Sequence, residues 1–222
     1  MNEEALKRVV EEFVAELLAL LELELKRAEP ARAALDLKQF FDHVRKPLFG
    51  RITAAQVSGH EDIIKELKKQ GVSLPQAAYV LATAYHETAK RMQPVREGLN
   101  ASDAWRKKNL RYYPWYGRGH VQLTWEENYR KADQKLGLGG ALVANPDLAL
   151  DPKVSSEVLV TGSVEGWFSG DKAGRHTLAR HIKTGTLAEY RQARRIINIM
   201  DKADLIAGYA LIYKEALQKA GY

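Results

Sequence analysis

The stretch "LPQAAYVLATAYHETAKRMQPVRE", residues 74–97, decides the reading of this chain. Ser73 ahead of it and Pro75 just inside mark a helix start. An N-cap hydroxyl serves an orphan N–H, and proline's missing donor costs least in the first turn. With Leu81 taken as the centre and about 100° per residue, Ala77, Ala84, Tyr85, Thr88 and Met92 gather on one side and give a buried face. Glu87 falls about 120° away, at the edge of that stripe. A carboxylate there is half covered, and desolvation favours the protonated form that a general acid needs. Pro94 biases Gln93 out of helical geometry, so the helix is expected to run from Leu74 to Met92 and the chain to turn just after it.

That turn matters because of Glu97. On an unbroken helix the two carboxylates would sit about 15 Å apart along the axis, too far to act on one bond. A fold-back allows the separation of roughly 6.5–9.5 Å at which a pair of carboxylates can flank both a scissile bond and a water. The competing reading is a solvated helix edge, with Glu97 paired to Arg91 or Arg96. A zinc-protease reading fails, because "HETAK" has Lys90 where the second histidine of HExxH would stand. His120, His176 and His181 show no metal-ligand spacing either, so no metal is expected at them.

The composition sets the frame. A chain of 222 residues, 45% hydrophobic and 28% charged with sixteen glycines and seven prolines, has an ordinary globular make-up. The absence of cysteine removes disulfides, thiolate ligands and cysteine nucleophiles. The net charge of +6, from 34 Lys and Arg against 28 Asp and Glu, suits an anionic partner such as nucleic acid or a bacterial wall. Its basic residues are spread along the chain and no nucleic-acid motif is present, so nucleic acid is set aside. "MNEEALKRVVEEF" is acidic where a secretory signal would be basic, and "FVAELLALLELEL" is interrupted by glutamates before it could span a bilayer. The expectation is synthesis in a cytoplasm, without a signal peptide or a membrane span.

Residues 3–28 carry Val9, Val10, Phe13, Leu17, Leu20, Leu21 and Leu25 near helical spacing. Residues 1–35 are read as an accessory helix that docks on the body, on another copy or on a particle, and 36–222 as the catalytic domain. In "TAAQVSGHEDIIKELKKQG", Thr53 is an N-cap and Gly71 a stop. The segment 98–122 is rich in aromatics, proline and glycine, and reads as irregular chain with a short hairpin. A long last helix is expected from about Leu187 to Ala220. The fold class is mainly α.

"AYHETAKRMQPVRE", "YPWYGRGHVQLTWEENYRKA", "ANPDLALDP", "GWFSG" and "RRIINIMDKADLIAGYA" occur in an order that resembles glycoside hydrolase family 19, in its phage endolysin branch. The resemblance runs from about Phe40 to the carboxyl end and leaves out the first 35 residues. It implies a mainly helical, lysozyme-like, two-lobed fold with a substrate cleft. It also implies inverting cleavage of β-1,4 bonds between N-acetylated amino sugars, with no metal or organic cofactor. Glu87 matches the general acid, Glu97 the carboxylate that activates water, and Thr124 the hydroxyl that helps to hold that water. Gln122, Asn128 and Asn198 match sugar-contacting amides, although Ile199 stands where the family has glycine. His86, Tyr116 and Arg118 complete the expected substrate-binding set, with bracing or core packing as their competing reading.

The resemblance makes bacterial peptidoglycan strands the expected partner, reached through a membrane opened by a holin or by delivery in a virion. Chitin is the competing substrate. A glycan-binding or virion structural protein without turnover is the competing class.

Overall fold

The computed structural model describes residues 7–8, 11–18, 20, 35–168 and 176–222. The chain divides into two compact units, Met1–Leu35 and Asp36–Tyr222. In the first unit, residues 7–8, 11–18 and 20 are helical, and Phe13, Val14, Leu17, Leu18 and Leu20 are exposed. The remainder of the expected accessory helix, with Val9, Val10, Leu21 and Leu25, lies outside the described residues.

The second unit is mainly helical, as the sequence pattern leads one to expect, and its one described sheet is a pair of two-residue strands. Its centre is the helix Leu74–Glu87. Nine consecutive residues of it, Ala77 to Tyr85, are buried. Burial all round is what a core helix shows, where a surface helix would show a stripe. The most extensive helix contact is with Ala203–Lys219, where Ala207 and Ala210 supply small, fully buried side chains. Ala54–Lys69 starts on a capping box between Thr53 and Gln56, which satisfies two orphan donors at once. It packs beside Pro152–Glu165, whose first turn is capped by Asp151.

Two expected elements differ. The central helix ends at Glu87 rather than Met92. The Thr88 hydroxyl donates to the Ala84 carbonyl at 2.7 Å and accepts from the Met92 N–H at 2.9 Å. The Thr88 hydroxyl thus takes the Met92 N–H that the Thr88 carbonyl would have accepted had the helix continued. Ala89, Lys90 and Met92 adopt positive φ, so the chain turns five residues earlier than Pro94 alone would dictate. The expected last helix is also broken: Leu187–Ala193 runs into a 3₁₀ turn, Arg194–Ile196, and Ala203–Lys219 starts after Lys202 at φ 56°.

The early turn is held from below. Gln56 donates to the Lys90 carbonyl at 2.9 Å, and Gln93 to the Ala55 carbonyl at 2.6 Å. Gly59 lies so close that a Cβ there would stand 1.7 Å from the Met92 carbonyl oxygen. Only glycine permits that approach.

Two buried histidines flank the turn. His120 Nδ1 meets the Ser155 hydroxyl at 2.7 Å, while His60 bonds the Gln56 carbonyl and the Tyr213 hydroxyl. Burial pushes both imidazoles down to about 4. Each therefore stays neutral in the folded protein and takes up a proton on unfolding between about pH 6.5 and 4. The stability they support is fully present above about pH 6.5 and is lost as the pH falls toward 4, by about 1.4 kcal/mol per pH unit for each histidine. Thermal melts across that window should show Tm falling with pH, and His120→Gln should flatten the slope.

Candidate active site

The two carboxylates sit on different supports and are held in different ways. Glu87 is the last residue of the central helix, and its side chain is 19% exposed. Its Oε1 receives a hydrogen bond from Arg194 Nη1 at 2.6 Å. Arg194 is almost wholly buried, and its Nε donates to the Asp201 carbonyl at 2.7 Å. A buried guanidinium is tolerated only when paired, so Arg194 is fixed in place and fixes one oxygen of Glu87 with it.

Glu97 follows the strand β1, Val95–Arg96, which pairs antiparallel with β2, Arg118–Gly119. Both of its carboxylate oxygens are engaged. Oε1 accepts from the Tyr112 hydroxyl at 2.5 Å, and Oε2 accepts from the Gly117 N–H at 2.9 Å. The bond to Glu97 is the largest of the effects that push Tyr112 up to about 12, so the phenol remains a donor at any working pH. Gly117 leaves the space this needs, since a Cβ there would lie 2.8 Å from Gln122 Oε1 and 3.2 Å from Glu97 Oε2. Arg106 ties the loop down by donating to the carbonyls of Glu97 and Gly98.

The expected polar residues join these two centres. Gln122, at φ 55°, spends its amide donors on the carbonyls of Val95 and Gly119. Its Oε1 acceptor is left toward Gly117 and Glu97. Thr124 donates to the Gln122 carbonyl at 2.7 Å and keeps lone pairs that can accept from a water. Asn128 in turn donates to the Thr124 carbonyl at 2.8 Å. Gln122, Thr124 and Asn128 therefore lie along one run of hydrogen bonds, and Gln122 and Glu97 both lie against Gly117.

Asn198 belongs with Glu87, because its backbone N–H bonds the Arg194 carbonyl. Its side-chain Oδ1 caps the Ile199 N–H at 2.7 Å, which leaves the amide N–H groups for a ligand. Ile199 is not among the positive-φ residues, so the backbone there makes no demand for glycine. His86 is half-buried, and desolvation holds its imidazole below the ordinary value, so it is neutral at pH 7.

Tyr116 and Arg118 depart from the expected substrate contact. Tyr116 is 1% exposed and Arg118 4%. The Arg118 guanidinium lies 3.6 Å over the Tyr116 ring and bonds Asp147, Tyr129 and two carbonyls. Arg96 makes a two-point pair with the same Asp147 and reaches the Tyr116 hydroxyl. An arginine with this many acceptors is consumed in bracing the hairpin, and Tyr116 is its stacking surface. Sequence reasoning passed over Tyr112, Arg194, Arg106 and Asp147. The one signal for Arg194 is a basic residue in an apolar helical pattern, a position that burial forces into a pair. Among the described residues no group of three or more His, Cys, Asp or Glu could hold a metal ion.

The model of the class I chitinases, glycoside hydrolase family 19, matches residues 67–187. The chain belongs to this family. The match takes in the Glu87 helix, Glu97 and the hairpin through Asn128, and it ends before Arg194. Among curated relatives, the acidic 26 kDa endochitinase of Solanum lycopersicum is 49% identical over 47 residues, 21% of this chain and 19% of that protein. The acidic endochitinase pcht28 of Solanum chilense is 55% identical over 42 residues, 18% and 17%. The chain thus spans about a fifth of the length of the curated relatives it matches. Among solved structures, a chitinase C variant covers 87% of this chain and 79% of its own at 19% identity, with a TM-score of 0.47.

The Glu87–Arg194 pair yields a test that does not depend on substrate. Arg194→Met should cost roughly 2–4 kcal/mol, because a half-covered carboxylate loses its counter-charge. In Glu87→Gln/Arg194→Met the loss should be smaller than the sum of the single changes, as read from denaturant melts in a double-mutant cycle.

Proposed function

We propose that this protein is an endolysin that hydrolyses β-1,4 glycosidic bonds of bacterial peptidoglycan with inversion. Glu87 is the general acid and Glu97 the base that activates water. One observation carries the reading: two carboxylates of one family match are positioned by unlike partners, a buried arginine at Glu87 and two neutral donors at Glu97. Each carboxyl is thus held in a set place by its own partners, as two groups acting on one bond require.

Glu87 gives its proton to the glycosidic oxygen as the bond to the anomeric carbon breaks. The Arg194 charge then faces the carboxylate that forms. Glu97 takes a proton from a water that attacks the opposite face of the same carbon, and Thr124 accepts a hydrogen bond from that water. The Tyr112 hydroxyl and Gly117 N–H hold the Glu97 carboxylate in one orientation while it does so. Asn128, Asn198 and the Gln122 acceptor offer amides to the hydroxyl and acetamido groups of the sugar. The surplus of positive charge favours an anionic wall over a neutral polymer. Access to the wall would come through a holin-opened membrane or by delivery in a virion.

Chitin is the second reading, favoured by the endochitinases among the relatives. The same chemistry serves both polymers. Clearing of permeabilised Gram-negative cells or purified sacculi, run beside soluble chitin oligosaccharides, separates the two. Wild type should clear sacculi, and Glu87→Gln should be slower by about 10²–10⁴-fold with its melt little changed. A folded wild type inactive on both substrates would leave a glycan-binding protein.

A further inference from the structure

Trp125 is an exposed aromatic beside the site with no role so far. It stands at the start of the helix Glu126–Leu136 with φ 74° and is 42% exposed. A bulky residue at positive φ is an outlier that persists only where its surroundings over-determine it, and such positions cluster at functional sites. Here its N–H donates to the Trp115 carbonyl at 2.8 Å, and its own carbonyl accepts from the N–H groups of Asn128 and Tyr129.

The backbone at Trp125 is therefore pinned in place, while much of the side-chain surface stays open. The indole ring centre lies 4.9 Å from that of Tyr112, whose hydroxyl holds Glu97. The Arg111 guanidinium lies over the indole, 5.3 Å from its centre, and covers part of one face. Thr124 precedes Trp125, and Asn128 is one helical turn on. Tyr116 and Tyr129, from the same stretch of chain, are buried. Trp125 is the one of these rings that is both open to solvent and one tyrosine side chain away from the water-activating carboxylate.

We propose that Trp125 is a sugar-stacking platform, whose open indole surface takes the C–H face of an N-acetylated pyranose in the subsite beside Glu97. An aromatic face covers the apolar side of a pyranose while neighbouring amides meet its polar edge, and Asn128 and Thr124 lie at hand for that. A ring that already packs against Tyr112 and Arg111 has little freedom left to lose on stacking. The proposal rests on the glycan-hydrolase reading and names one more surface of that site.

The test measures binding apart from turnover. Glu87→Gln is titrated calorimetrically with the tetramer of N-acetylglucosamine and with solubilised peptidoglycan strands, alone and combined with Trp125→Leu or Trp125→Tyr. Trp125→Leu should weaken binding of whichever glycan the parent binds by about tenfold, and Trp125→Tyr by about threefold or less. In the active protein Trp125→Leu should raise KM by a similar factor. Undiminished binding with a fall in kcat alone would make Trp125 a mere brace for Tyr112 and overturn the proposal. If Trp125→Leu fails to fold, Trp125→His takes its place and should weaken binding at least threefold; unchanged binding would overturn the proposal. A folded Glu87→Gln that binds neither glycan would overturn the glycan reading together with this one, whereas wild-type turnover with Trp125-independent binding overturns this one alone.

Discussion

The approach of Gly59 to the Met92 carbonyl is the contact on which the arrangement of the two carboxylates rests. A helix ending at Glu87 could release its chain in many directions, and most would carry Glu97 away. The Met92 carbonyl sits against the bare face of Gly59. Thr88 turns its hydroxyl inward to close the last turn, and the side chains of Gln56 and Gln93 cross-link the turn to the helix below. Three positive-φ residues lie in this stretch, and these hydrogen bonds hold the turn that contains them. The turn is thus a rigid spacer, and the hairpin that bears Glu97 starts from a fixed point.

The hairpin itself is too short to be stable as a sheet, since isolated two-stranded ribbons are marginal even at greater length. Side chains do what ladder bonds cannot. Asp147 collects Arg96 and Arg118, one from each strand. Its carboxyl is held below the usual range, chiefly by its bond to Arg96. Arg118 lies over Tyr116 and bonds the Tyr129 hydroxyl, so charge, stacking and burial meet on one guanidinium. A residue of this kind supports the site from behind while touching nothing that enters it.

Much of this was legible in the sequence where the signal is local. Thr53 and Ser73 announced helix starts because such signals are written within four residues, although only Thr53 makes its capping bond and the Ser73 hydroxyl makes none. Glu87 stood out because helical periodicity places it at the edge of the Leu81 stripe. What escaped was set by distant partners. The helix end at Glu87 depends on Thr88 bonding both Ala84 and Met92, a choice that burial makes and that Pro94 does not foretell. The break after Arg194 depends on a guanidinium reaching back to Glu87, and periodicity alone continues the helix through it. Tyr116 and Arg118 lie in the most motif-rich stretch of the chain, yet burial turns both inward, while Tyr112 and Trp125 beside them stay near the surface. Residue type was the same signal in the three aromatics, and only the packing separates them.

Glu87 and Arg194 are 107 positions apart in the chain. No local element holds this pair together: the arginine arrives only when the segment after Ala193 has docked on the central helix. Contacts of such long sequence separation form after local ones, because the loop entropy must be met first. Glu87 therefore acquires its counter-charge only once segments far apart in sequence have come together. A chain whose last third is still loose carries every residue of the hairpin site but lacks the charge that fixes Glu87, so assembly of the active site doubles as a check that folding has finished.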